Sequence, residues 1–204
     1  MVVDRDLLPD VRHVACIGLM GSGKSTVGRL VAERLGWDFV DVDDLIEEAT
    51  GCTVSELWEQ GGEDAYRPLE HSIVIDVLGA FRHSVLATPG GVVLDPAAVR
   101  AIETNDVVSV YLRAEPEVLA ERIAHDSGHQ RPLVDDHPCE VMRAMFDARD
   151  STYQDLADQV VQVDDLTPDQ AATAVLHVLV GSVLRPGRTP EGPAGQPGPP
   201  GSSS

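Results

Sequence analysis

The chain has 204 residues and a formal charge of −19, room for one domain with a full core or a domain plus a tail. So acidic a surface argues against nucleic acid or an anionic membrane as a partner, and no run of about 18 apolar residues offers a membrane span. The start, MVVDRDLLPDVRHV, carries acids and a proline where a secretion signal needs a basic end and an apolar centre. Cys16, Cys52 and Cys139 are widely spaced and odd in number. Neither a disulfide framework nor a zinc site is expected of them, and a reducing cytoplasm suits them better. Cys16 sits in an apolar run and reads as a small core residue.

In chain order, residues 13–18 (HVACIG) read as a short buried strand and 24–35 (KSTVGRLVAERL) as a helix with apolar residues at 27, 30, 31 and 35. A second strand is expected over 38–42, then the acidic amphipathic run DDLIEEAT, which Gly51 can end. Thr53-x-x-Glu56 fits a capping box for the next helix. Gly61-Gly62 breaks that helix, and Pro68 requires the following one to begin within a turn of Tyr66. The strand SVLAT leads into Pro89-Gly90-Gly91, and Asp95-Pro96 opens a helix to about residue 103. A strand over 107–112 and a helix over 115–124 follow. Residues 125–138 lack an apolar period and read as a mobile lid. A helix to about residue 156, the strand QVVQV and a last helix over 167–181 complete the pattern. Alternating strands and helices imply an α/β fold in three layers, a parallel sheet of about five strands flanked by helices. Residues 1–11 read as an N-terminal extension, 12–184 as the folded domain, and the Pro/Gly/Ser-rich 185–204 as a disordered tail.

Gly18-x-x-x-x-Gly23-Lys24-Ser25, between a strand and a helix, matches the P-loop pattern in full. Glycines let backbone N–H groups turn inward around phosphate oxygens, and the helix N-terminus adds partial positive charge. Lys24, the only lysine in the chain, suits the β- and γ-phosphates of ATP, and the Ser25 hydroxyl suits a Mg²⁺ ion. Gly21, Ser22, Gly23, Lys24, Ser25 and Thr26 form the expected ATP cradle. A switch GTPase would need an NKxD motif, and none exists. A large ATPase would usually carry an acid at the end of a buried strand, and SVLATPGG has none. A small-molecule kinase fits better.

The acceptor side rests on the order of further motifs. GLMGSGKST is followed by DVD (Asp41, Asp43), YRPLE (Tyr66 to Glu70), a Gly-rich turn after a strand, RPL (Arg131 to Leu133), and Arg149 with Tyr153 beyond it. This order resembles the shikimate kinase family over about residues 12–180. The resemblance implies a P-loop kinase fold, one Mg²⁺ per site, ATP as co-substrate and shikimate, a small trihydroxy ring acid, as acceptor. It implies that Ser25, and Asp41 through water, hold the metal, and that Asp43 binds the acceptor hydroxyls and can take the hydroxyl proton as the phosphoryl group transfers. Arg67 and Arg149 would hold the acceptor carboxylate, since guanidinium forks match carboxylates bidentately. Glu70, one helical turn from Arg67, can orient it, and Glu63 is also within reach for an ion pair. Gly90 and Gly91 would permit close backbone approach to the acceptor. Arg131 would reach the phosphates as the lid closes, and Arg122 could stack on adenine.

Spacing along a strand would put Asp41 and Asp43 on one side of it. The chain departs from the family pattern at two places. Pro89 stands for the first glycine of a Gly-Gly-Gly turn, removing one donor and any positive φ there. Asp150 follows Arg149 where the family commonly has Pro-Leu before the tyrosine, and is a candidate to draw Arg149 off a substrate carboxylate. The leading expectation is an ATP:shikimate 3-phosphotransferase of the chorismate and aromatic amino acid pathway, monomeric and cytoplasmic. A kinase for a related polyol, cyclitol or sugar acid such as gluconate, and a catalytically idle ATP-binding paralogue, stay open beside it.

Overall fold

A computed structural model of the chain describes residues 8, 10–80, 83–104, 106–125 and 137–183. The expected lid core, the tail and most of the N-terminal extension lie outside them. Five strands alternate with seven α-helices: β1 (His13–Ile17), α1 (Lys24–Leu35), β2 (Asp38–Asp41), α2 (Val42–Thr50), α3 (Val54–Ala80), β3 (Ser84–Ala87), α4 (Pro96–Ile102), β4 (Val107–Arg113), α5 (Pro116–His125), α6 (Pro138–Leu156), β5 (Gln159–Gln162) and α7 (Pro168–Val183). A 3₁₀ turn spans Val92–Leu94.

The strands form one sheet in the order β2-β3-β1-β4-β5, and every pair is parallel. All residues of β1 and β3 are buried. Successive side chains of a strand face opposite sides, so helices must cover both faces. The order reverses at β1, which lies between β3 and β4. In such a sheet the crevice beyond the carboxyl ends of the central strands is where a ligand fits.

Local chemistry explains the boundaries. The Val27, Val31 and Leu35 stripe of α1 is buried as its period requires. The capping box forms as expected: the Thr53 N–H donates to Glu56 Oε2 at 2.8 Å and the Glu56 N–H to Thr53 Oγ1 at 3.2 Å, which satisfies two N–H groups at the start of α3. α3 is two helical segments joined at Gly62, whose backbone is non-helical (φ 61°, ψ −156°). The second segment thus starts within a turn of Tyr66, and Pro68 loses a single intrahelical bond near its beginning. Asp95 caps α4 by accepting from the Ala97 and Ala98 N–H groups. Buried His13 and Ser84 meet at 2.8 Å across β1 and β3, and burial lowers the histidine's pKa. Cys16 is fully buried, as expected of a core residue, and burial pushes its thiol up to about 12.

One boundary corrects the sequence reading. β2 ends at Asp41, and Asp43 belongs to the first turn of α2. The Asp41 carboxylate accepts the Asp43 N–H at 3.1 Å and so starts the helix one residue earlier than a strand over 38–42 allows. The two carboxylates are brought together by a cap, not by strand alternation.

Candidate active site

The carboxyl ends of β1, β2 and β3 open into a cleft of about 1340 Å³. Its floor is the phosphate loop. Gly23 is the N-cap of α1 in a left-handed conformation, and the first turn of α1 contains no acid to offset the helix dipole. The Ser22 N–H donates to the Leu19 carbonyl at 3.3 Å, and Lys24 Nζ donates to the same carbonyl at 3.0 Å. Gly21 has φ 78°, and a Cβ on it would lie 2.9 Å from the Leu119 carbonyl oxygen of α5. The loop therefore needs glycine there twice over, for its dihedral and for its contact with α5. The side chains of Ser25 and Thr26 belong to exposed positions on the cleft wall.

The opposite wall is built from α2, α3, α6 and the turn after β3. Asp43 and Tyr66 meet there, with Tyr66 Oη donating to Asp43 Oδ1 at 2.7 Å. Tyr66 is 4% exposed. Burial, reinforced by the adjacent Asp43 carboxylate, pushes its ionisation far above the usual phenol range, so it stays a donor. Arg67 Nε and Nη2 both donate to Glu63 Oε1, at 2.8 and 2.7 Å, while Nη1 donates to Glu70 Oε2 at 2.5 Å. Glu70 is buried, which raises its carboxyl pKa, and the Arg67 guanidinium opposes that rise. Arg67 also lies over the Trp58 ring, 5.7 Å from its centroid. A Cβ on Gly91 would fall 1.6 Å from Arg67 Nη1. Glycine at 91 is what lets this guanidinium lie against the turn.

Arg149 comes to the neighbouring residue. Its Nη1 donates to the Gly90 carbonyl at 3.2 Å, and Tyr153 Oη donates to the same oxygen. Tyr153 is fully buried and stacked on Tyr111, ring centroids 4.9 Å apart. The two arginines singled out in the sequence, 82 positions apart, thus converge on the consecutive glycines 91 and 90. Above these residues the turn is rooted in β1: the Thr88 N–H and Oγ1 both donate to the Cys16 carbonyl, at 3.1 and 3.0 Å.

Both departures from the family pattern have visible surroundings in this geometry. Neither Gly90 nor Gly91 has a positive φ, and the Pro89 carbonyl closes the turn by accepting from the Val92 N–H at 3.2 Å. Proline at 89 is compatible with that backbone. Asp150 does not engage Arg149. It accepts from Tyr111 Oη at 2.9 Å, Arg113 Nε at 3.0 Å and Gln154 Nε2 at 2.7 Å. Adjacent positions on a helix point about 100° apart, so Asp150 turns to β4 while Arg149 turns to the glycine turn. Arg113 is the partner the sequence reading missed; an arginine at the end of a buried strand, needing an acid, was the available signal.

Asp41 and Glu63 line the cleft as well. Arg122 does too, and its Nη2 donates to the Val163 and Asp164 carbonyls at 2.6 and 3.1 Å. Those bonds hold α5 against the segment leading to α7. Arg131 falls outside the described residues. No helix among the described residues is long and apolar enough to cross a membrane, and Cys16, Cys52 and Cys139 are unpaired.

The family model described as shikimate kinase matches residues 20–180. A shikimate kinase of Thermodesulfovibrio yellowstonii is 35% identical over 81% of this chain and 94% of its own length. One of Thiobacillus denitrificans is 40% identical over 82% of this chain and 87% of its own. Among solved structures, a shikimate kinase from Acinetobacter baumannii in complex with shikimate is similar with a TM-score of 0.81 at 27% identity, covering 89% of this chain and 99% of that one. Matched over most of its length by the family model and by these relatives, and carrying a phosphate loop that faces two converging arginines, the chain belongs to the shikimate kinase family of transferases.

Proposed function

We propose that this chain transfers the γ-phosphoryl group of ATP to a ring hydroxyl of shikimate, giving shikimate 3-phosphate and ADP. The observation that carries the reading is the convergence of Arg67 and Arg149 on Gly91 and Gly90, across one cleft from Lys24. Two guanidinium groups on one wall fit a carboxylate-bearing acceptor better than a neutral polyol. In the transfer the acceptor oxygen forms a bond to the γ-phosphorus, the bond to the β–γ bridging oxygen breaks with its electron pair leaving on ADP, and Asp43 takes the hydroxyl proton. Lys24 and the inward N–H groups of the loop carry the phosphate charge. Gly21, Ser22, Gly23 and Thr26 shape that cradle, Glu70 holds Arg67, and Arg122 flanks the nucleotide base. Arg131, which lies outside the described residues, would add positive charge opposite the phosphates.

Ser25 and Asp41 suit Mg²⁺. Both line the cleft and offer hard oxygen donors, and so small a protein donor set matches an ion that keeps several of its waters. Ser25 would ligate directly and Asp41 through water; the ion, when bound, neutralises charge on the phosphates. Unpaired cysteines support the cytoplasm as its compartment.

A coupled assay of ADP release tests the reading, with shikimate, quinate, gluconate and neutral cyclitols as acceptors, each with and without Mg²⁺. Turnover that needs shikimate, needs the metal and falls in Asp43→Asn is the expected result. Turnover only with a neutral cyclitol, or nucleotide binding without acceptor-dependent turnover, would overturn it.

A further inference from the structure

The Asp43 side chain is held by a group on a different helix. Tyr66 of α3 reaches across to α2, and its phenol donates to Asp43 Oδ1 at 2.7 Å. The Asp43 backbone is fixed independently, by the Asp41 carboxylate that accepts its N–H. The phenol is itself held firmly: it is 4% exposed, and its ring packs against Trp58 with centroids 5.5 Å apart. Arg67 and Glu70 are the charged groups around it, besides Asp43. A buried hydroxyl must keep a partner, so phenol and carboxylate are bound to one geometry.

We propose that Tyr66 is a positioning residue for phosphoryl transfer: by holding Oδ1 it fixes the orientation in which the Asp43 carboxylate meets the acceptor hydroxyl. The proposal rests on Asp43 as the proton acceptor, as argued above. Asp43 is anchored twice, its backbone by the Asp41 carboxylate and its side chain by the phenol, and this restricts rotation of the carboxylate before the acceptor arrives. Orientation of a proton acceptor acts on the transition state, so its loss lowers kcat more than it changes binding. The phenol ring also fills the wall, a packing role that phenylalanine would keep.

A double-mutant cycle with Tyr66→Phe, Asp43→Asn and the pair tests this, reading kcat, both KM values and thermal midpoint on the full chain. Tyr66→Phe is expected to lower kcat about tenfold, with the KM for ATP and the midpoint close to those of the parent. In the Asp43→Asn background the same substitution is expected to change kcat less than about twofold, because the group it positions is gone. A Tyr66→Phe enzyme with parental kcat, or effects of the two substitutions that simply multiply, would overturn the positioning role while leaving Asp43 in place. Parental kcat in Asp43→Asn would instead overturn the role of Asp43, and this proposal with it.

Discussion

The two walls of the cleft are made of different materials. The wall proposed for ATP is backbone: a turn whose shape is dictated by Gly21 and Gly23, a helix N-terminus with no acid in its first turn and one lysine tied to a loop carbonyl. The wall proposed for the acceptor is side chains, already engaged with one another or with the glycine turn. Arg67 holds Glu63 and Glu70, Arg149 holds the Gly90 carbonyl, and Asp43 holds Tyr66. A backbone cradle tolerates almost no change at its glycines but depends little on its neighbours. A wall of paired side chains can be retuned one residue at a time, because each group's availability is set by its partner.

Lys24→Ala should have the largest effect, lowering kcat by roughly 10²–10³ with any acceptor, since it removes a preorganised charge from the developing phosphate negative charge; steady-state kinetics measures it. Gly21→Ala comes next. It forces an L residue to φ 78° and a Cβ against Leu119, and a strain of about 1–3 kcal/mol should raise the ATP KM some tenfold or more while acceptor binding by calorimetry stays unchanged. If acceptor binding fell equally, the walls would not be independent. Arg149→Ala should raise the acceptor KM by roughly tenfold to a hundredfold through loss of a charge-assisted bond. An unchanged KM would return Arg149 to the surface. Glu63→Gln acts in the opposite direction. Its exposed carboxylate occupies the Nε/Nη2 edge of Arg67, so removing the charge should lower the KM for a carboxylate acceptor about threefold, as suits a largely exposed ion pair, and leave that of a neutral cyclitol alone. Asp150→Asn should barely move either KM, yet lower stability by about 1 kcal/mol through the Tyr111 and Arg113 bonds, visible as a reduced melting temperature.

The same contrast governs what could be read from the residues alone. The phosphate loop was legible because its function is its spacing: glycines, lysine and serine at fixed offsets between a strand and a helix. Element order, the Thr53–Glu56 box and the Asp95 cap were legible for the same reason, being local. The acceptor wall was legible only as a set of residue types. That Arg149 meets Gly90, or that Tyr66 reaches Asp43, depends on how α6 and α3 pack on the sheet, and no local pattern records it. Where a local rule was applied to a non-local question it misled. Proximity in sequence set Asp150 against Arg149, whereas the helix carries them to different neighbours, and strand alternation was invoked for Asp41 and Asp43 where a cap was at work.

The Thr88 contact with the Cys16 carbonyl carries a consequence for the reaction. One oxygen at the end of β1 fastens the root of the acceptor turn to the strand that feeds the phosphate loop. The spacing between that turn and the phosphate loop is therefore set by two adjoining strands, which a second contact, His13 to Ser84, also ties together.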